Sequence, residues 1–178
     1  GLILNKVDAV TLDGFAKQVI IVDDYSTDGT RELLYKLKEN NQKYIICFHA
    51  ENHGKGRAIR TGLEYAEGKY TIIQDADLEY DPEDYRPLVR FVEDKMQPVI
   101  YGSRLLNKKK VNYSGLSFYL GGRLVTFATN ILYNGTLTDE PTCYKLIKTD
   151  LLKSLNLQCN RFEFCPEVTA KILRLGFT

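Results

Sequence analysis

Three acids at alternate positions, Asp75, Asp77 and Glu79, follow the apolar run Tyr70 to Gln74. Two carboxylates about 4 Å apart repel by roughly 4 kcal/mol at an effective dielectric near 20, so the cluster asks for a cation. Oxygen donors without His or Cys suit Mg²⁺ or Mn²⁺ better than zinc, and substrate phosphates commonly complete the shell. The same acids could instead simply cap the turn ahead of a helix begun by Asp81-Pro82.

A second acidic pair, Asp23-Asp24, closes the run Lys17 to Asp23 and leads into Tyr25-Ser26-Thr27-Asp28-Gly29-Thr30. Carboxylates there can accept hydrogen bonds from ribose hydroxyls or a base N–H, and a Ser26- and Gly29-containing turn lets the backbone approach a ligand. Asp28 or Thr30 equally suits the cap of the next helix, and both readings hold together. Asn52 to Arg57, with Lys55 at its centre, is a Gly-rich loop that lacks the GxxxxGK[ST] pattern. It reads either as a phosphate-facing loop or as a turn before a helix with exposed bases. His53 receives no role.

Arg104 and Arg123 are candidates for binding phosphate through a planar fork. Lys108, Lys109 and Lys110 stand among Leu105, Leu106, Tyr113 and Tyr119, a mixture that suits an anionic membrane surface or, equally, a solvated loop and a buried helix. Asp139 and Glu163 are acids among aromatic residues, suited to a partly buried site or to a turn and a helix start.

These groups need elements to hold them. Leu2, Ile3, Leu4, Val7 and Val10 approximate a helical stripe. Lys17 to Asp23, Tyr44 to Phe48, Tyr70 to Gln74 and Pro98 to Tyr101 read as strands. Arg31 to Glu39, Lys55 to Ala66, Leu116 to Tyr133, Asp150 to Leu155 and Cys165 to Leu175 read as helices, and Pro141 to Lys148 as a further strand. Strands alternating with helices imply an α/β fold whose mostly parallel sheet is flanked by helices. Ligands in such folds bind at strand carboxyl ends, where both acidic clusters lie.

Charge is unevenly spread. Asp75 to Asp94 holds eight acids, whereas Lys95 to Thr138 holds none against six bases. That contrast fits a site handling a cation and anions together. The net charge of +1 across 178 residues gives no global field that would select nucleic acid. Four cysteines lack zinc spacing and read as reduced thiols of a reducing, cytoplasmic compartment. No apolar run of about 20 residues spans a membrane.

Taken in order, VDDYSTDGT, NHGKGRAIRTGLEYAEG, QDADLEYDPEDY, YGSR, TCYKLIKTDLL and FEFCPEVTAKILRLG resemble the family-2 glycosyltransferases, and within them the dolichyl- and polyprenyl-phosphate sugar transferases. The resemblance covers nearly the whole chain and implies a nucleotide-binding sandwich of the GT-A type, one catalytic domain over residues 1–178. It implies that Asp23, Asp24, Ser26, Lys55 and Asp75 face a nucleotide-sugar donor. It implies that Asp75, Asp77 and Glu79 hold Mg²⁺ or Mn²⁺, and that Arg104 and Arg123 bind donor or lipid phosphate. Asp77, Arg104 and Asp139 are the expected catalytic residues. The expected reaction is inverting sugar transfer from a UDP- or GDP-sugar to a polyprenyl phosphate at the cytoplasmic face of a membrane. A sugar-hydroxyl acceptor is the alternative, which would make Asp139 or Glu163 the essential base. A non-catalytic nucleotide-sugar-binding module is the third. Tyr25 replaces a common Gly of the family, and the sequence lacks the family's first strand and its basic segment after the last helix, so both ends read as cut.

Overall fold

A computed structural model describes residues 1–106 and 116–177 of the chain. The readings placed on Lys108, Lys109, Lys110 and Tyr113 lie outside the described residues.

The amino-terminal stripe folds as α1 (Leu2–Ala9) and turns Val7 and Val10 into the core. β1 (Val19–Asp23) and β2 (Tyr44–Phe48) pair in parallel, Val19 opposite Tyr44 and Asp23 opposite Phe48, across α2 (Thr30–Asn40). A parallel pair needs such a crossover, and α2 supplies it with Leu34 buried and Leu37 half-buried, while Leu33 of the expected stripe is exposed. α3 (Lys55–Glu64) packs on β1 through Ile59 and Leu63 and returns the chain to β3 (Tyr70–Thr71).

A second sheet holds β3, β4 (Val99–Tyr101) and β5 (Lys145–Lys148) in the order β3-β5-β4. β5 is antiparallel to both neighbours, with Ile147 opposite Thr71 and Val99. The alternating pattern predicts parallel strands. β5 departs from it because it arrives from α5 (Leu116–Tyr133) and a long return, which frees its direction. Regular pairing is also shorter than expected. Lys145 N–H turns back to Cys143 O at 2.8 Å, so β5 starts at Lys145 rather than Pro141.

Successive residues of β5 face opposite layers. Ile147 joins Leu152 of α6 (Thr149–Ser154) and Phe164, Val168 and Ile172 of α7 (Phe164–Arg174). Leu146 joins Val92 of α4 (Tyr85–Lys95) and Ile100. Pro82–Asp84 forms a short 3₁₀ turn before α4, with Asp81 Oδ1 accepting from Glu83 N at 3.2 Å, the cap that the sequence offers.

Lys145 is 1% exposed. Its Nζ donates to Glu140 O at 2.8 Å and to Thr142 O, and stands 4.8 Å from the centre of the Tyr101 ring. Buried carbonyls without donors each cost about 1–3 kcal/mol. Lys145→Met is therefore expected to lower the unfolding free energy by about 2–4 kcal/mol in urea titration; an unchanged midpoint would show that the 140–142 turn does not rely on this ammonium.

Candidate active site

β1 and β3 belong to different sheets, and a cavity of about 770 Å³ lies between them. Ile20, Val22 and Ile73 line its body, while Asp23, Asp24, Ser26, Lys55 and Asp75 line the end where both strands finish. Five of the residues expected to face a nucleotide thus converge there.

Each acid has its own compensation. Asp23 is buried and accepts from Arg31 Nε at 2.7 Å and from Ser26 N at 3.3 Å. Arg31 also donates to His49 O and lies against the Tyr25 and Phe48 rings. Burial disfavours the Asp23 carboxylate, but Ser26 and Arg31 outweigh it and hold its pKa below the ordinary value. Asp24 is less buried but accepts from three groups. His49 Nδ1 lies 2.6 Å from Oδ1, His53 N donates to the same oxygen at 3.0 Å, and Gly54 N donates to Oδ2 at 2.6 Å. His49 Nε2 is 2.9 Å from Thr61 Oγ1 of α3, so the ring is oriented from both sides. Burial again opposes ionisation and the hydrogen bonds again win, lowering the Asp24 pKa.

Lys55, the first residue of α3, places Nζ 2.6 Å from Asp75 Oδ1 and 3.7 Å from Cys143 Sγ. Burial and the nearby Asp75 push the Cys143 thiol up to about 12, so it stays protonated. Cys143 N donates to Tyr80 OH at 3.0 Å, which leads to a second group of charges. Arg104 forks onto Asp139, Nε to Oδ2 and Nη2 to Oδ1, both at 2.9 Å, and its backbone N donates to Oδ2 at 2.9 Å. Glu79 Oε1 is 3.6 Å from Arg104 Nη1. The bond to Asp139 raises the Arg104 pKa above its already high ordinary value.

The acids proposed to hold a divalent ion point in three directions. Asp75 pairs with Lys55, Asp77 Oδ1 accepts from Glu79 N at 2.9 Å, and Glu79 turns to Arg104. Among the described residues no group of three or more His, Cys, Asp or Glu side chains is gathered for a metal. The donor set still suits Mg²⁺ or Mn²⁺, which need only one or two protein carboxylates when a diphosphate supplies further oxygens. Asp77 is exposed and Asp75 lies at the cavity mouth, so these two fit that demand. Arg123 stands apart, exposed on α5, and Glu163 accepts from Arg161 N at 2.9 Å within its own loop.

The glycine loop is locked from behind. Gly56 N donates to Arg161 O at 3.0 Å and Arg57 N to Asn160 O at 2.9 Å. A Cβ at Gly56 would meet Cys159 O at 2.8 Å, so only glycine lets the two loops touch. Glu167 anchors the facing loop by accepting from Gln158 N and Cys159 N, each at 2.8 Å, and from Lys171 Nζ at 2.6 Å. His49 and Arg31 were not singled out from the sequence, and Glu167 reads there only as an acid at the start of the last helix. His49 had a usable signal: it follows β2 directly, at the same sheet end as Asp23-Asp24.

Burial opposes the Glu167 carboxylate, but Lys171 and the two amides bring its pKa down to about 2. A depressed carboxyl contributes stability that is complete above the unfolded value of about 4.3 and is lost as pH falls toward the folded value. Glu167→Gln should flatten the decline in urea midpoint between about pH 4 and pH 2; equal slopes for variant and parent would remove this residue as the anchor.

Comparison with known proteins agrees with this geometry. Residues 3–155 match glycosyl transferase family 2. Poly-beta-1,6-N-acetyl-D-glucosamine synthase of Staphylococcus aureus strain COL is 37% identical over 97 residues, covering 53% of this chain and 23% of that protein. The same synthase from strain MSSA476 matches equally. The chain therefore spans about a quarter of the length of these curated relatives. Among solved structures, S. aureus TarS 1-349 in complex with UDP superposes with a TM-score of 0.54 at 21% identity, over 92% of this chain and 47% of that one. At that identity the likeness shows the fold, an α/β fold of the glycosyltransferase kind.

Proposed function

This chain belongs to glycosyl transferase family 2, and from that premise we propose that it transfers a sugar from a UDP- or GDP-sugar to a hydroxyl of a saccharide acceptor. One observation carries the reading. A half-buried, cation-compensated acid group lines the cavity end at β1 and β3, and contacts through Lys55, Cys143 and Tyr80 lead from it to a second acid, Asp139, held at a fixed angle by Arg104. The first group suits a nucleoside diphosphate and the second suits a base. The UDP bound in TarS and the synthase activity named for the Staphylococcus relatives support the same pairing of donor and acceptor.

Asp23 and Asp24 bound the base and ribose end of the cavity. Lys55 neutralises Asp75 and, by rotating its flexible stem, reaches a diphosphate placed between them. Asp77, with Asp75, would hold Mg²⁺ or Mn²⁺, which when bound offsets the charge of the departing diphosphate. A hydroxyl acceptor must lose a proton as it attacks the anomeric carbon, and Asp139 accepts it while Arg104 keeps the carboxylate oriented.

A second reading retains a polyprenyl phosphate acceptor, which is already ionised and needs no base. The acid-free, basic stretch Lys95 to Thr138 favours it. Against it, Arg104 is engaged by Asp139.

Asp139→Asn separates the two. With a saccharide acceptor, kcat should fall by roughly a hundredfold or more in radiolabelled sugar transfer, with UDP binding unchanged. Full turnover onto polyprenyl phosphate by the same variant would transfer the conclusion to the second reading. In a thermal-shift panel, UDP or GDP should raise the Tm more with Mn²⁺ than without, and Asp77→Ala should abolish that difference; a metal effect that persists in Asp77→Ala would exclude Asp77 as a ligand.

A further inference from the structure

Helix α5 faces the wrong way for a helix surrounded by water. Its inward stripe is polar. Thr126 Oγ1 donates to Gly122 O at 2.8 Å and accepts from Glu140 N at 3.0 Å. Asn130 Nδ2 donates to Leu137 O at 2.8 Å, and its Oδ1 accepts from Leu137 N at 3.0 Å. Its outward stripe is apolar. Leu120, Leu124, Phe127 and Ile131 recur at the spacing of one helix face, and the last three are 68%, 63% and 65% exposed. Leu132 and Val125 widen the same face. A helix that buries hydroxyl and amide groups while presenting Leu, Phe and Ile outward leaves an apolar face that water solvates poorly.

We propose that α5 lies in the plane of an anionic lipid surface, with Leu120, Leu124, Phe127 and Ile131 entering the boundary between headgroups and acyl chains. Eighteen residues rule out nothing by length alone, but no helix among the described residues is long and apolar enough to cross a membrane, so the in-plane placement is the one that fits. Charge selects the occupant. Arg123 is exposed on α5, one residue before Leu124, and Arg174 of α7 is exposed near the carboxyl end of the helix, 6.0 Å from the centre of the Tyr133 ring. From Lys95 to Thr138 the sequence has no acid. Guanidinium groups flanking an apolar face reach lipid phosphates while their stems stay among the acyl chains. A second copy of the helix would instead bring Arg123 against an equally basic, acid-free face. The placement also has a use. Gly122 and Thr126 pack on the turn that carries Asp139, so a surface against α5 lies just behind the proposed base.

The inference is independent of the sugar-transfer reading, because it concerns docking alone. The test is co-sedimentation with phosphatidylcholine vesicles, with and without phosphatidylglycerol, for the parent chain, Leu124→Glu/Phe127→Glu, and Arg123→Gln/Arg174→Gln. The substituted side chains are exposed, and unchanged circular dichroism and thermal response to UDP report that the fold and donor site persist. Binding of the parent only to vesicles with phosphatidylglycerol is expected. A loss of roughly tenfold or more is expected for the apolar double variant, since two large side chains no longer enter the interface. The arginine variant should bind less well and with a weaker dependence on salt. Three results would overturn the proposal: no vesicle binding by the parent, undiminished binding by the apolar variant, or a parent dimer that becomes monomeric in that variant without any lipid binding.

Discussion

Carboxylates crowded at the ends of two strands must each be compensated, and the architecture of this protein follows from how that is done. Asp23 takes Arg31, Asp24 takes His49 and two loop amides, Asp75 takes Lys55, and Asp139 takes Arg104. Each partner comes from a different element: α2, the end of β2, the start of α3 and the segment after β4. The acids thereby tie together elements that apolar packing alone would leave adjustable.

The glycine loop converts this charge arrangement into a rigid one. Asp24 accepts from the amides of His53 and Gly54, and two residues later Gly56 meets the carbonyl of Arg161. Glu167 holds that opposing segment in turn. A chain of hydrogen bonds therefore runs from α7, through the 158–161 loop, to the strand-end acids, and Lys55 is fixed in the middle of it. This explains how a lysine on a flexible stem is brought to ion-pair distance of Asp75.

β5 performs a comparable service for the second acid. Entering antiparallel between β3 and β4, it sends Ile147 to one layer and Leu146 to the other, and its buried Lys145 draws the 140–142 turn inward. Asp139 is the residue just before that turn. Its approach to Arg104 is thus set by the strand that completes the sheet. On the far side of the same turn, α5 shows polar groups inward and apolar groups outward, so the proposed base and the proposed lipid-facing surface are two sides of one structural layer.

Much of this was legible in the residues themselves. Helices and strands followed from apolar periodicity, because α2, α3 and α7 each carry an apolar stripe, whereas α4 was marked only by its Asp81-Pro82 start. The acidic clusters were recognisable because strand ends in α/β sheets are where ligands bind, and the resemblance of the motifs to family-2 glycosyltransferases agrees with the match over residues 3–155. What the sequence could not determine was pairing. Nothing local tells Asp24 that its partner is His49, 25 residues on, or Arg104 that it meets Asp139, because those contacts exist only once separate elements have packed. The direction of β5 was hidden for the same reason, since a long connection permits either orientation. The outward face of α5 was hidden most completely: an apolar stripe reads as core until the tertiary structure shows that the polar stripe, with Thr126 and Asn130, is the one turned inside.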